Sequence, residues 1–536
     1  MTMKFSFSIP LSLAMATLGA CPAATAQEVK PEPMEQGKYQ PTWESLSDYE
    51  CPDWYRDAKF GIWAHWGPQC EPEAGDWYAR NMYYPGQWQH EVHLQKYGDP
   101  KDFGFKDVIR EWKAERWQPD SLIRFYKSVG AKFFMTLANH HDNFDLWDSE
   151  YQPWNSVNMG PKRDVVGEWA KVCRKYGLPL GVSVHASHAW TWYEGSQRYD
   201  GKLTKADGKG KWWEGYDPQD LYQQSHERSQ DSWNVNAIHS QWAWGNGASQ
   251  PSEAFKTNVY NRTLDLINRY SPDVLYFDDT VLPFYPISDE GVRILAHMYN
   301  KSLKDNKGET RAVVTGKILE DRHKEAMVWD VERGIPDRPQ EKPWQTCTCL
   351  GSWHYDRGLY DRNGYKPASQ VVKMLVDIVS KNGTLLLSVP LRGSGEIDEK
   401  EVAILKELKA WLDINGESIY GTRPWRVFGE GPLVEKANPL NGQGFNEGQD
   451  YTAADIRYVK KGAVVYATAL GWPDNGVARL ETLRKDSPYC HREVKGVELL
   501  GHGSVDYDRD GTSLTIYLPK DKPNPIAPVF KVTFLE

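Results

Sequence analysis

The chain of 536 residues reads as an α/β protein: a (β/α) barrel of the TIM type followed by a C-terminal antiparallel β-sandwich. Three observations predict this. Short apolar runs alternate with amphipathic stretches from Phe60 to Val389, the pattern of strand, helix, strand repeated around a barrel. Beyond about Tyr420 the texture changes to short alternating runs such as GAVVYATAL and TSLTIYLP, broken by Gly, Asn, Asp and Pro. The length also exceeds what one hydrophobic core supports. No glycine-rich phosphate loop follows the first apolar run, which argues against a doubly wound nucleotide-binding sheet.

Taken in order, residues 1–26 have a lysine-bearing start, an apolar stretch over 5–20 and the small triplet Ala24-Thr25-Ala26, the layout of an export signal. Leu18-Gly19-Ala20-Cys21 also resembles a lipoprotein box in which Cys21 would carry a lipid anchor, although Pro22 favours simple cleavage. Either way a periplasmic or extracellular workplace is expected. No later stretch approaches the ~18 apolar residues needed to cross a bilayer. Residues 27–50 read as a polar linker, 51–419 as the barrel and 420–536 as the sandwich. Strands are expected at 60–64, 131–138, 180–185, 274–278, 312–315 and 385–389. Helices are expected from Asp164 and from Ala368, the second closed by Asn382-Gly383. The Trp- and Tyr-rich polar insertion from Thr191 onward is expected at the rim of a binding site.

Composition narrows the partner. With 64 basic and 73 acidic residues the formal charge is -9, so there is no basic field to recruit nucleic acid. The 24 Trp and 29 Tyr suit stacking on sugar faces, although core packing accounts for most of them. Beyond Cys21, the cysteines Cys51, Cys70, Cys173, Cys347, Cys349 and Cys490 are too sparse for a disulfide scaffold and are expected in the core.

Catalytic groups of a barrel come from the C-terminal ends of its strands. The run SPDVLYFDDT ends in Asp278 and Asp279, which alternation points in opposite directions, so one is expected to be chemical and the other structural. His65, His140, His141 and His185 close three other apolar runs and are expected to line one polar pocket. Neither HxH nor HExxH spacing occurs, and neighbours His140 and His141 should diverge on extended backbone, so no metal is expected. No cofactor is called for.

These residues carry a resemblance to the α-L-fucosidases of glycoside hydrolase family 29. AKFGIWAHWG resembles that family's first-strand motif, and GDWYARNMYY its acid-Trp-Tyr motif, with Asp76 in place of Glu. GAKFFMTLANHHDNFDLWDSEYQPWNSVNMGPKRDVV follows the paired-histidine block, SKNGTLLLSVP a late barrel segment and NGESIYGTRPW the exit into the sandwich. The resemblance implies an exo-acting retaining α-L-fucosidase acting on a fucosylated oligosaccharide or polysaccharide. It puts Asp278, in a WFDG-like motif, as nucleophile and a carboxyl ~5 Å away as acid/base. Among Glu320, Asp330, Glu332 and Glu341, the segment MVWDVERGIPD points to Glu332. By the same carry-over His65, Trp77, His140 and His141 contact the sugar, with His185 beside them and Arg322 as a looser match. Two departures stand out: Asp279 replaces a glycine, and GVSVHASHAW lacks the tyrosines of the family's GLYYS strand. They leave open another L-sugar such as an α-L-galactoside, or a non-catalytic sugar-binding barrel.

Overall fold

The structure, a computed structural model, describes residues 30–237 and 242–535. The expected export signal and Cys21 lie outside the described residues. Eight parallel strands close into a barrel in chain order: β1 (Phe60–Ala64), β2 (Phe133–Leu137), β3 (Leu180–Val184), β4 (Val274–Phe277), β5 (Val313–Gly316), β6 (Val328–Glu332), β7 (Trp344–Cys349) and β8 (Gly383–Ser388). Phe60 pairs with Leu385 where β8 meets β1 and completes the ring.

Six of these strands fall on the expected runs. β6 and β7 do not, because the barrel interior is polar there: Asp330 accepts hydrogen bonds from Gln345 Nε2 at 2.6 Å and Cys347 Sγ at 3.1 Å. Inward carboxyl, amide and thiol groups erase the apolar run by which a buried parallel strand is otherwise read. The helix Val165–Tyr176 starts where Asp164 accepts the Gly167 N–H and stops at Gly177 in the left-handed conformation. The helix Ala368–Ser380 ends differently from expectation. Asn382 takes the positive φ of 73°, and Gly383 already begins β8.

Residues 30–50, expected as a linker, pack onto the barrel instead. The Glu35 N–H donates to His297 Nδ1 at 2.9 Å, the Tyr39 N–H to Asn300 Oδ1 at 2.9 Å, and the Tyr49 ring stacks on Tyr299 at 4.3 Å. The C-terminal part forms a six-stranded sheet and a three-stranded sheet around a second core that includes Tyr458, Val465, Leu514, Ile516 and Phe530. It is tied to the barrel by a buried ionic knot. Asp377, on the helix before β8, binds Lys381 at 3.0 Å and Arg457 from the sheet, and Tyr451 donates to it at 3.1 Å. Against the cost of burial these cations hold the Asp377 carboxyl down at about 2. Five of the six expected core cysteines are buried, Cys51 is half-buried, and none of the six is bridged.

Candidate active site

The strand ends converge as barrel geometry requires. Asp278 follows β4, and its two oxygens are shared among three groups: Lys317 Nζ reaches Oδ1 at 2.5 Å, while His141 Nε2 at 3.0 Å and His185 Nδ1 at 3.2 Å face Oδ2. Burial alone would raise this carboxyl, but the Lys317 ammonium and the two imidazoles outweigh it and hold Asp278 well below the usual carboxylate range. His141 Nδ1 also faces the His185 carbonyl, at 2.7 Å. Both ring nitrogens of His141 are thus engaged, one by the carboxylate and one by the backbone.

Lys317, first residue after β5, went unremarked in the sequence reading. The rule that found Asp278, a polar residue ending an apolar strand, would have found it. Its ammonium also binds Glu332 Oε2 at 2.6 Å, and its side chain is only 2% exposed. One nitrogen therefore touches both carboxylates. The two facing oxygens are no further apart than those two short contacts laid end to end, which agrees with the ~5–5.5 Å spacing of retaining pairs. Burial raises the Glu332 carboxyl above its ordinary value and the Asp278 charge adds to this, with Lys317 opposing. The other candidate acids lie elsewhere. Glu320 is on the surface against Arg322, Asp330 is deeper in the barrel, and Glu341 is exposed. Arg333 pairs with Glu447 and leaves Glu332 to the pocket.

The expected divergence of His140 and His141 does not occur. The chain leaves extended geometry after β2, and both rings enter the pocket 4.6 Å apart, with His185 4.7 Å from His140 and 5.2 Å from His141. Gln69 donates to His140 Nδ1 at 2.9 Å and so leaves the proton on Nε2, facing away from Gln69. His65 and His354 meet at 4.6 Å, and His354 Nδ1 bonds Asp76 at 2.9 Å. Among the described residues both ring nitrogens of His65 lack a hydrogen-bond partner, as does His354 Nε2. Burial keeps His65 and His140 well below the ordinary imidazole value and brings His185 down to about 4. His65 and His140 thus give the pocket wall neutral imidazoles with unspent donors and acceptors, suited to hydroxyl groups. His354 was missed because β7, which delivers it, was missed. Two groupings, His65, Asp76, His140 and His354, and His140, His141 and His185, bring ligand atoms within 4.8 Å, so spacing along the chain understated what the fold assembles.

Aromatic groups frame the mouth. Trp77 sits at a φ of 61°, a left-handed conformation costing about 1–2 kcal/mol, and packs edge-on to Trp192 at 4.8 Å and parallel to Trp242 at 6.0 Å. Trp192 and Trp242 belong to the long insertion between β3 and β4, and both reach His141 at 4.7 Å. Asp279 turns away from the pocket. It accepts hydrogen bonds from Ser187 Oγ, from His188 at 3.0 Å and from its own neighbour's N–H, and is 3% exposed. Its φ is not positive, so the freedom of a glycine is not needed there. Arg322 is not brought to the cluster. It lies 58% exposed, paired with Glu320 and the Tyr285 hydroxyl.

Comparison with known proteins agrees with this geometry. Residues 26–417 match the family model "Alpha-L-fucosidase" and residues 449–533 the model "Alpha-L-fucosidase C-terminal domain". Human tissue alpha-L-fucosidase is 26% identical over 524 residues, 92% of this chain and 91% of that protein. Human plasma alpha-L-fucosidase is 27% identical over 487 residues, 87% of this chain and 85% of its own. The crystal structure of the Thermotoga maritima alpha-fucosidase superposes with a TM-score of 0.67 at 25% identity, over 92% of this chain and all of that one. A barrel whose strand ends place two carboxylates on one ammonium within a wall of imidazoles, together with matches spanning nearly the whole chain, shows that it belongs to the α-L-fucosidases of glycoside hydrolase family 29.

Proposed function

We propose that the chain is an exo-acting retaining α-L-fucosidase in which Asp278 is the nucleophile and Glu332 the acid/base. The observation that carries this is the shared Lys317 ammonium, which holds an oxygen of each carboxylate close to the other and so supports the short spacing of a double displacement. Asp278, held ionised, attacks the anomeric carbon as Glu332 protonates the departing oxygen. Glu332 then takes a proton from the water that releases the sugar. His65 and His140 offer hydrogen bonds and Trp77 an apolar face to the sugar, while His141, expected to contact the sugar as well, has both nitrogens engaged and holds Asp278. The substrate class is a glycan ending in α-L-fucose. The export signal read in residues 1–26 would put it outside the cytoplasm, with Cys21 as an optional anchor.

A second reading has its own observation. Where family members carry tyrosine, this chain has Ser183, whose hydroxyl lies 3.1 Å from His185 Nε2, so this wall is more polar and supports an L-galactose hydroxymethyl group. Proton NMR of the first product separates the readings. An aryl α-L-fucoside and its α-L-galactoside analogue are compared on the wild type and on Asp278→Gly. Release of α-configured fucose by the wild type only is expected. First release of the β anomer would refute retention, and full activity of Asp278→Gly would refute the nucleophile.

A further inference from the structure

The segment between the last barrel helix and the main body of the C-terminal sheets, residues 418–448, lies between the two matched family regions. Part of it enters the active site. Gly444 bridges Glu332 as an added strand: the Glu332 N–H donates to the Gln443 carbonyl at 3.0 Å, and the Phe445 N–H to the Glu332 carbonyl at 2.8 Å. Gln443 Nε2 donates to Glu332 Oε2 at 2.7 Å, the oxygen that Lys317 also holds. Among the described residues the other oxygen, Oε1, accepts no hydrogen bond, so the two donors fix the carboxyl by one oxygen and leave the second for chemistry. The strap is anchored at both flanks. Asn446 exchanges hydrogen bonds with the Ile335 backbone at 2.8 and 3.1 Å. The Glu447 carboxylate is held by Arg333, Thr348 and Lys366 at 2.6 to 3.0 Å. A side chain at Gly444 would meet the Glu332 carbonyl at 1.7 Å, so the approach requires glycine. Next to it Phe445, at a φ of 58°, is 50% exposed, an uncommon setting for a large apolar residue.

We propose that residues 441–447 form the leaving-group wall of the active site, with Gln443 positioning the Glu332 carboxyl and Phe445 offering an apolar face to the departing sugar. The inference rests on Glu332 being the acid/base. The acid side of the site is therefore completed by the C-terminal part of the chain, and the barrel alone is an incomplete enzyme.

The test uses the full chain with two substrates. In α-L-fucosyl fluoride the leaving group is one atom and needs no general acid, whereas a fucosyl disaccharide needs both protonation and room for a sugar. Gln443→Ala should lower kcat/KM on the disaccharide roughly tenfold to a hundredfold, the range for losing a hydrogen bond to a charged group. It should leave kcat/KM for the fluoride within about twofold, because that quantity ends with the glycosyl-enzyme and excludes the water step in which Glu332 acts as base. Because the lost N–H favours ionised Glu332, the basic limb of kcat/KM should move upward. Phe445→Ala should raise KM for the disaccharide severalfold and leave the fluoride unchanged. Equal losses on both substrates, or an unaffected disaccharide, would overturn the proposal. Glu332→Gln separates the two levels. If it still cleaves the disaccharide at full rate, the acid/base reading itself has failed. If it is silent there while Gln443→Ala is normal, only the strap has failed.

Discussion

Replacing Lys317 by Met keeps the volume of the side chain and removes the cation that, among the described residues, touches both carboxylates. The ammonium stands 2.5 Å from Asp278 and 2.6 Å from Glu332, with side chains 2%, 23% and 12% exposed, so little solvent is available to replace it. Breaking a buried ionic contact of this kind costs about 3–5 kcal/mol, because a charge is left without its partner. Loss of one preorganised charge at the reacting centre typically costs about 10²–10³ in kcat. The sign of the pH effect follows from Asp278. Its folded pKa is depressed, so its stabilising contribution is present above the ordinary carboxylate value near 4 and is lost as pH falls through the depressed one. In Lys317→Met that contribution disappears. The stability deficit against wild type should then be full at pH 7 and shrink as pH drops through the carboxylate range, where one of the two acids takes a proton. The acid limb of kcat/KM, which needs ionised Asp278, should move upward. Thermal melts from pH 4 to 8 and a pH-rate profile on an aryl fucoside read both. Activity within threefold of wild type with an unmoved acid limb would refute the reasoning.

Two further outcomes test the supports of the site. Asp377→Asn leaves Lys381 and Arg457 buried without their anion and should cost about 3–5 kcal/mol at neutral pH; since the Asp377 carboxyl is held at about 2, the wild-type advantage should persist down to about pH 4 and fade toward pH 2, as urea titrations would show. Asp279→Asn should lower stability by about 1–3 kcal/mol through its Ser187 and His188 bonds yet change kcat on aryl fucosides by less than about tenfold, and a loss matching that of Asp278→Gly would contradict the division of labour between the two acids.

How far the sequence foretold this depended on where polarity sat. Strands with apolar interiors and a single polar terminus, such as 60–64 and 274–278, were legible, and so were His65, His185 and Asp278 at their ends. β6 and β7 were not, because Asp330, Gln345 and Cys347 face one another inside the barrel and spoil the apolar signal. Missing β7 meant missing His354. Lys317 was within reach of the same strand-end rule but carried no chemistry by itself: a lysine after a strand is usually a solvated terminus, and only the fold brings two carboxylates to it. Arg322 shows the converse, a match along the chain that the fold carries to the surface. The strap of residues 441–447 left no periodic signal, since its partner in pairing is Glu332, over a hundred residues away in sequence.

The shared ammonium also bears on how charge is handled during the reaction. In the proposed double displacement, Asp278 carries the negative charge and Glu332 the proton before attack; after attack, Asp278 is an uncharged ester and Glu332 is ionised. Charge thus leaves one partner of Lys317 and arrives at the other, while the nitrogen keeps contact with both. The same holds in reverse when water releases the sugar. A cation on either carboxylate alone would stabilise one end of the step and oppose the other, whereas one between them favours neither end and stabilises the shared charge midway. Lys317 therefore does more than depress one pKa. In that mechanism it lets two acids of opposite protonation exchange roles without a change in the charge that the buried site must hold.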